Sequence, residues 1–297
     1  MRPLGLLGLA LVFGFTTIAY TGDIKVINAK SGFPEGPLWH DGKLYYVEYG
    51  THTVITWDGK KNQEFWKMEG CGPSAIAALT SGDLLVTCYD SGSIARISAD
   101  GKTIAEYKQD NEGQNFQGPN DFVTDKKGGV YFSASGPWES DPIVGKIFYM
   151  DPSDKIREVA NDLHYANGLA LSNDGKTLFL AESEASRVIQ FNVQQDGSLA
   201  DRRLFVRIGQ IDPGSGCYAY PDGLKMDSEG NLYIGQYSKG RILVVSPDKK
   251  LAKTIDVPSP AAPNLNFGPG ESVLYIMAVD DQTNAPYWGK VYEVPNK

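Results

Sequence analysis

The stretch Tyr220-Pro221-Asp222-Gly223-Leu224 decides the fold, because versions of it recur along the chain. Each version places a residue with a side-chain oxygen at the start of an apolar run. In chain order these six residues are Glu35, Ser74, Asn120, Asn167, Asp222 and Asn264. Their spacing runs from 39 residues (Glu35 to Ser74) to 55 residues (Asn167 to Asp222). A repeat of about 40–50 residues is typical of a β-propeller.

Each version of the stretch is followed by a turn and then by strand-like runs. Asn173-Asp174-Gly175 is one such turn, and these residue types tolerate the positive φ that tight hairpins need. Two runs rich in β-branched and aromatic residues come next, as at 178–180 and 187–191. Fourth strands are weaker in pattern and are predicted near residues 63–68, 103–107, 156–160, 204–208 and 251–257.

These repeats predict an all-β fold, a six-bladed β-propeller with four antiparallel strands in each blade. The sixth repeat lacks a fourth strand because the chain ends at Lys297, whereas Ile24-Lys25-Val26-Ile27-Asn28 stands alone before the first repeat. We therefore predict that this N-terminal strand completes the last blade and closes the ring, which removes exposed strand edges. A β-sandwich or two β-domains is the alternative, and six in-phase repeats disfavour it.

Residues 1–21 differ in kind from the rest of the chain. Arg2 is their only charge, residues 4–15 are apolar, and Thr17-Ile18-Ala19 resembles a small-residue cleavage site. We interpret this segment as a signal peptide that makes the protein secreted or periplasmic. An uncleaved membrane anchor is the alternative, since residues 4–20 are nearly long enough to span a bilayer. Residues 22–297 are predicted to form a single propeller domain.

Composition excludes some classes of partner. The chain has 28 Lys and Arg against 36 Asp and Glu, a net charge of −8, which argues against nucleic acid and anionic membrane surfaces as partners. Cys71, Cys88 and Cys217 lack Cys-x-x-Cys spacing, so no zinc or redox motif is predicted. The three cysteines could form one disulfide and leave one thiol free, or all three could be unpaired, and the sequence leaves both possibilities open. The oligomeric state is open as well.

The innermost strands of a propeller line its central channel, so the six recurring residues should face one another at one mouth. They comprise two carboxylates, three amides and a hydroxyl. This oxygen set suits a hard divalent cation, with Ca²⁺ as the first choice and Zn²⁺, Mn²⁺ and Mg²⁺ as alternatives. Two converging carboxylates would also be costly to bury without a cation. We predict a metal site formed by Glu35, Asn120, Asn167 and Asp222. Ser74 is expected only to cap a strand, and for Asn264 strand capping and metal binding both remain open.

The sequence resembles the SMP-30/gluconolactonase/LRE-like family of six-bladed propellers over essentially its whole length after residue 21. The matching stretches follow the family order and spacing: Glu35-Gly36-Pro37-Leu38-Trp39, Gly118-Pro119-Asn120-Asp121, the run 166–178, and Pro221-Asp222-Gly223-Leu224. One departure is Gly118, where some members carry a sugar-binding arginine. Another is the lack of a histidine pair among His40, His52 and His164.

The resemblance implies a role for each matching residue. Glu35, Asn167 and Asp222 would bind a catalytic divalent metal, Asn120 would bind metal or substrate, and Asp222 would also act as base or nucleophile. For substrate binding we add Asn264 from the ring and Trp138 and His164 from nearby loops, although His164 could instead be an ordinary exposed histidine. Loops holding Tyr89, Tyr218 and the pair 287–288 are expected to form the rest of the pocket wall.

These inferences predict a metal-dependent hydrolase of lactones or related esters, whose partner is a small-molecule substrate. A phosphotriesterase is one alternative, because the same metal ring would support it. A non-enzymatic propeller resembling strictosidine synthase is the other, and the intact set of acids and amides counts against it.

Overall fold

A computed structural model describes residues 23–138, 142–216 and 218–296. Its architecture is all-β, with 24 strands and one short helix, α1, at Ile208–Ile211. The strands are β1 Lys25–Gly32, β2 Pro34–His40, β3 Lys43–Glu48, β4 Thr53–Trp57, β5 Asn62–Lys67, β6 Pro73–Ala78, β7 Leu84–Cys88, β8 Ser93–Ile97, β9 Thr103–Tyr107, β10 Pro119–Thr124, β11 Val130–Ala134, β12 Gly145–Met150, β13 Ile156–Leu163, β14 Ala166–Leu171, β15 Thr177–Glu182, β16 Arg187–Val193, β17 Leu199–Arg207, β18 Pro221–Met226, β19 Leu232–Gln236, β20 Arg241–Val245, β21 Leu251–Asp256, β22 Ala261–Phe267, β23 Val273–Val279 and β24 Trp288–Pro295.

The strands pair in sets of four consecutive antiparallel neighbours. Five sets run β2–β5, β6–β9, β10–β13, β14–β17 and β18–β21. The sixth set joins the two ends of the chain, because β22, β23 and β24 are followed in the ladder by β1. In that last pairing Lys25 lies opposite Glu293 and Gly32 opposite Trp288.

The first strands of the six sets lie against one another in chain order. Strand β2 contacts β6, β6 contacts β10, and the series continues through β14 and β18 to β22, which contacts β2. A hydrogen bond joins the last set to the first, because the Asn266 side-chain amide donates to the Pro37 carbonyl over 2.7 Å. All six oxygen-bearing residues of the repeat lie near the beginning of these innermost strands.

The innermost strands approach one another so closely that glycine is required at specific points. A Cβ atom on Gly168 would lie 2.1 Å from the Asp222 carbonyl oxygen, and one on Gly223 would lie 2.1 Å from Oδ1 of Asn264. Neither position tolerates a side chain, because real Cβ atoms do not approach backbone or fixed polar atoms at that distance. The two glycines of the repeated stretch therefore set how tightly neighbouring sets pack around the centre.

Apolar side chains from adjacent sets fill the space between the sheets. Leu178 and Leu180 of one set pack with Tyr131 and Ile147 of the preceding set, and all four are fully buried. This arrangement follows from alternation along each strand, which sends successive side chains to opposite faces and so supplies both neighbouring interfaces. The core is thus a series of sheet-on-sheet layers around the central site.

One disulfide joins Cys71 to Cys88, whose Cα atoms are 4.4 Å apart. It connects the residue two positions before β6 to the last residue of β7, directly beside the site described below. Cys217 and the predicted signal peptide at 1–21 lie outside the described residues. Within the described ranges, no helix is both long and apolar enough to span a membrane.

Candidate functional site

A cavity of about 300 Å³ opens at the beginning of the innermost strands. The structure brings four of the predicted metal-site residues together at this cavity: Glu35, Asn120, Asn167 and Asp222 all line it. Ser74 lines it as well, but its hydroxyl donates toward the Pro119 and Asn120 carbonyls. The four residues come from four separate strand sets, so only the folded chain assembles them.

Glu35 is a buried carboxylate that is held by the protein through one oxygen. Its Oε2 accepts hydrogen bonds from the Gly36 backbone N–H and from the Asn264 side-chain amide, each over 2.8 Å. Oε1 therefore remains available to a ligand. Burial raises the pKa of Glu35 to about 8, and the nearby Asp121 carboxylate adds to the rise.

Asp222 is half-buried and lines the same cavity as Glu35. Its pKa is raised well above the usual value, first by burial and then by the charges of Glu35 and Asp121. Hydrogen bonds from the Asn167 side chain and the Gly223 backbone act in the other direction and favour its charged form. Two acids whose pKa values are both raised at one cavity floor would gain from a bound positive charge.

Serine hydroxyls fix which way the two ring amides face. Ser183 Oγ donates its one hydrogen to the Pro221 carbonyl over 2.7 Å, so it can only accept from the Asn167 amide, whose Nδ2 lies 3.1 Å away. Ser135 Oγ donates to the Ala166 carbonyl over 2.6 Å and accepts from Asn120 Nδ2 over 3.0 Å. Both amides thus direct nitrogen toward a serine and leave Oδ1 on the opposite side.

The oxygen of Asn167 is the observation that bears most directly on a bound metal. Oδ1 of this side chain is buried and has no hydrogen-bond partner, although an unpaired buried acceptor costs about 1–3 kcal/mol. Across the described ranges no three His, Cys, Asp or Glu side chains cluster as a metal site. A cation would therefore depend on the two carboxylates together with the amide oxygens of Asn167 and Asn120. That oxygen-only set fits one Ca²⁺-like ion.

Aromatic side chains form the wall above this floor. The Trp138 ring meets Tyr165 nearly at a right angle, with ring centres 4.4 Å apart, and also packs on Tyr220. Phe33 packs edge-on against Tyr49, with ring centres 5.6 Å apart. The predicted wall residues Tyr89 and Trp138 do line the cavity, as does Tyr287, whereas Tyr218 and Trp288 are not among its lining residues.

Sequence reasoning missed Phe33, Tyr49, Tyr165 and Tyr237, which also line the cavity. A feature that recurs in the strand sets could have identified some of these residues. The residue two places before the ring residue has a left-handed backbone in five sets, at Phe33, Gly72, Gly118, Tyr165 and Tyr220. Its carbonyl accepts the backbone N–H of the residue that follows the second strand, which is Tyr49, Tyr89, Ser135, Ser183 or Tyr237. That second position supplies either a wall aromatic or an amide-orienting serine.

Two predicted substrate-binding residues occupy other places. Asn264 is buried and does not line the cavity; its amide donates to Glu35, and its Oδ1 accepts the Leu265 backbone N–H over 2.9 Å. It therefore holds the Glu35 carboxylate in position. His164 lies between β13 and β14, where its backbone N–H donates to Glu182, and it is not among the cavity's lining residues.

Sequence relatives of this chain include proteins named as lactonases. The chain is 29% identical over 255 residues to a lactonase, drp35, from Staphylococcus saprophyticus, a match that covers 80% of this chain and 75% of the relative. It is 24% identical over 256 residues to a pentonolactonase, XacC, from Haloferax volcanii, with coverage of 85% and 83%. An uncharacterized protein of Sulfolobus acidocaldarius is 26% identical over 275 residues, with coverage of 91% and 94%.

Solved structures share the fold at low sequence identity. A gluconolactonase from Xanthomonas campestris superposes with a TM-score of 0.75 and 21% identity, covering 92% of this chain and 89% of that structure. Regucalcin from Agrobacterium tumefaciens, described as a calcium-binding protein, gives a TM-score of 0.77 and 16% identity, covering 92% and 93%. The family profile for the SMP-30/gluconolactonase/LRE-like region matches residues 33–280. The chain therefore belongs to the SMP-30/gluconolactonase/LRE-like family.

Proposed function

We propose that this protein is a metal-dependent lactonase whose active site is the cavity floored by Glu35, Asn120, Asn167 and Asp222. The observation that carries the proposal is the unpartnered Oδ1 of Asn167 at a cavity that the buried Glu35 and the half-buried Asp222 also line. Relatives named as lactonases support the substrate class, and the calcium-binding description of a structural neighbour supports Ca²⁺ as the metal.

We propose that the six strand sets are the blades of one closed propeller. Support comes from the unbroken series of contacts between innermost strands, including β22 with β2, and from the pairing of β1 with β24. A closed ring gives the site rigidity, because each liganding residue begins a strand held on both sides. Preorganised ligands of this kind reduce the reorganisation that a reaction would otherwise require.

Within this site each residue has a distinct task. A bound divalent cation would polarise the lactone carbonyl and stabilise the negative charge that develops on its oxygen. Asp222 accepts the proton of the attacking water on its carboxylate and returns it to the ring oxygen as the acyl C–O bond breaks. Alternatively, Asp222 attacks the carbonyl carbon directly, the ring oxygen leaves with a proton from water, and water then hydrolyses the acyl-enzyme. Asn120, oriented by Ser135, directs its amide oxygen to the metal or its substrate. The aromatic wall restricts the access of bulk water and so strengthens these polar interactions.

We also propose that the protein is exported. The composition of residues 1–21 supports a signal peptide, and the Cys71–Cys88 disulfide suits an oxidising compartment outside the cytosol. N-terminal sequencing of the protein from its native host should begin near residues 20–23. Intact Met1 on soluble cytoplasmic protein would contradict export.

The experiment that tests the function is metal removal followed by restoration. Protein stripped with a chelator should lose hydrolysis of a simple δ-lactone, and one equivalent of Ca²⁺ per chain should restore it. Asn167→Leu keeps the side-chain volume but removes the unpartnered oxygen, so this variant should need far more Ca²⁺ for the same rate. Full activity in stripped protein that contains no metal by elemental analysis would refute the proposal.

A further inference from the structure

The wall of the cavity is strongly aromatic. Seven of the thirteen described side chains that line it are Phe, Tyr or Trp. The only ionisable carboxylates among them are the floor residues Glu35 and Asp222, and none of the lining residues is Lys, Arg or His. Such a wall offers large apolar contact area and no positive charge to attract an anionic group.

Three of the five tyrosine hydroxyls that line the cavity are used by the protein itself. Tyr49 donates its hydroxyl hydrogen to the Asp90 carboxylate over 2.9 Å, and Tyr89 donates to the Gly136 carbonyl over 2.7 Å. The Tyr165 hydroxyl lies 3.1 Å from that of Tyr89 and donates to it. Each of these three hydroxyls already donates its only hydrogen within the protein. These three tyrosines therefore offer a ligand their ring surface and no hydrogen-bond donor.

Other polar groups at the wall are also committed. The Ser74 hydroxyl serves the Pro119 and Asn120 carbonyls, and the Gln282 amide donates to the Tyr237 carbonyl over 3.2 Å. A ligand covered with hydroxyls would therefore find few donors on this wall and would leave some of its hydroxyls unpaired. Each unpaired buried hydroxyl carries a penalty, whereas an alkyl or aryl group would gain from leaving water.

We propose that the cavity selects lactones with an uncharged, apolar body, such as an alkyl- or aryl-substituted ring, over polyhydroxylated or phosphorylated lactones. This inference rests on the proposed lactonase function and narrows its substrate class. The reacting carbonyl would lie over the oxygen-lined floor, while the substituent would pack against the rings of Trp138, Tyr165 and Tyr237. Specificity would thus come from the wall and reactivity from the floor.

The test compares three lactones that share one ring size on the Ca²⁺-loaded protein: δ-valerolactone, δ-nonalactone and D-glucono-δ-lactone. Each kcat/KM is divided by the rate constant of uncatalysed hydrolysis to remove intrinsic reactivity. Burial of a methylene is worth about fourfold, so δ-nonalactone should exceed δ-valerolactone by about 15-fold if two carbons are buried and about 250-fold if four are. D-glucono-δ-lactone should fall at least about fivefold below δ-valerolactone, from one unpaired hydroxyl.

A pair of tryptophan variants locates the selectivity. Trp138→Ala should reduce the advantage of δ-nonalactone over δ-valerolactone, because it removes part of the wall. Trp288→Ala is the matched control, since Trp288 is a partly exposed tryptophan that packs with Lys30 and is not among the lining residues of the cavity, and it should leave the advantage intact. An advantage that survives Trp138→Ala unchanged, or that both variants reduce equally, would overturn the assignment to the wall.

The remaining outcomes separate the inference from the function on which it rests. Preference for D-glucono-δ-lactone, or equal rates for all three lactones, would overturn the inference while leaving the lactonase function in place. Hydrolysis of none of them would refute the function. The selectivity would then be tested by titrating each lactone into the protein and following tryptophan fluorescence. Tighter binding of δ-nonalactone than of D-glucono-δ-lactone supports the inference, and the reverse order overturns it.

Discussion

Replacing Ser183 by alanine should weaken metal binding although this residue is not proposed to touch the metal. Its hydroxyl accepts from the Asn167 amide over 3.1 Å and donates to the Pro221 carbonyl over 2.7 Å. Without it, Asn167 can rotate its amide, and nitrogen then competes with Oδ1 for the cavity. Loss of a residue that orients a metal ligand typically costs about 10–100-fold in affinity. Leaving the Pro221 carbonyl unpaired should also cost about 1–3 kcal/mol of stability.

The assay is calorimetric titration of Ca²⁺ into stripped protein, with urea unfolding measured in parallel. Ser31→Ala is the matched control, because the Ser31 hydroxyl is fully buried and donates to Glu48 over 2.6 Å, outside the site. Both variants should lose stability, but only Ser183→Ala should lose Ca²⁺ affinity. If the two variants lose stability alike and both keep the wild-type Kd, Ser183 is a structural residue and the amide-orientation argument fails.

Two further predictions concern pH and the chain ends. The pKa of Glu35 is raised to about 8 in the metal-free folded protein, so the folded state keeps a proton that the unfolded chain loses near pH 4.5. The free energy of unfolding of the metal-free protein should therefore fall as pH rises between these two values. The rise in unfolding midpoint on adding Ca²⁺ should therefore be larger at pH 8 than at pH 5.5, and an equal rise at both would contradict this. Deleting residues 23–30 removes most of β1 and should lower the free energy of unfolding by about 3–5 kcal/mol, at roughly 1 kcal/mol for each lost ladder hydrogen bond. An unchanged urea midpoint would count against ring closure through β1.

Local patterns were enough to predict the strands and the residues that the innermost strands bring together. Turns and β-branched runs can be recognised from a few neighbouring residues. Because Glu35, Asn120, Asn167 and Asp222 occupy the same position of the repeat, equivalent strands place them at the same end of the innermost strands. Strand β9 at Thr103–Tyr107 was predicted to the residue. Strand β17 begins at Leu199, five residues before its predicted start. Its long hairpin with β16 includes residues in which apolar and polar side chains alternate only weakly, so the pattern did not indicate a strand there.

Contacts between strand sets could not be predicted from local patterns. Ser135 and Ser183 look like ordinary polar residues after a strand, and their role depends on carbonyls of the next set, about 30–40 residues later. Asn264 shares the repeat position with the predicted ligands, but the approach of Gly223 and Glu35 turns its amide toward the carboxylate. The prediction of His164 as a substrate-binding residue rested on its closeness to Asn167 in the sequence, which does not give side-chain direction.

The most direct test of the account is kcat for Asp222→Asn on a δ-lactone at Ca²⁺ concentrations shown by titration to saturate the variant. Glu35→Gln serves as the comparison, since it also removes one floor charge and keeps an oxygen. Asp222→Asn should fall by about 10²–10⁴ in kcat, and excess Ca²⁺ should not recover it, because the lost group handles the proton or the attack itself. Glu35→Gln should need more Ca²⁺ and then regain much of the rate. Near-normal kcat for saturated Asp222→Asn would contradict the account, because Asp222 would then be at most a ligand.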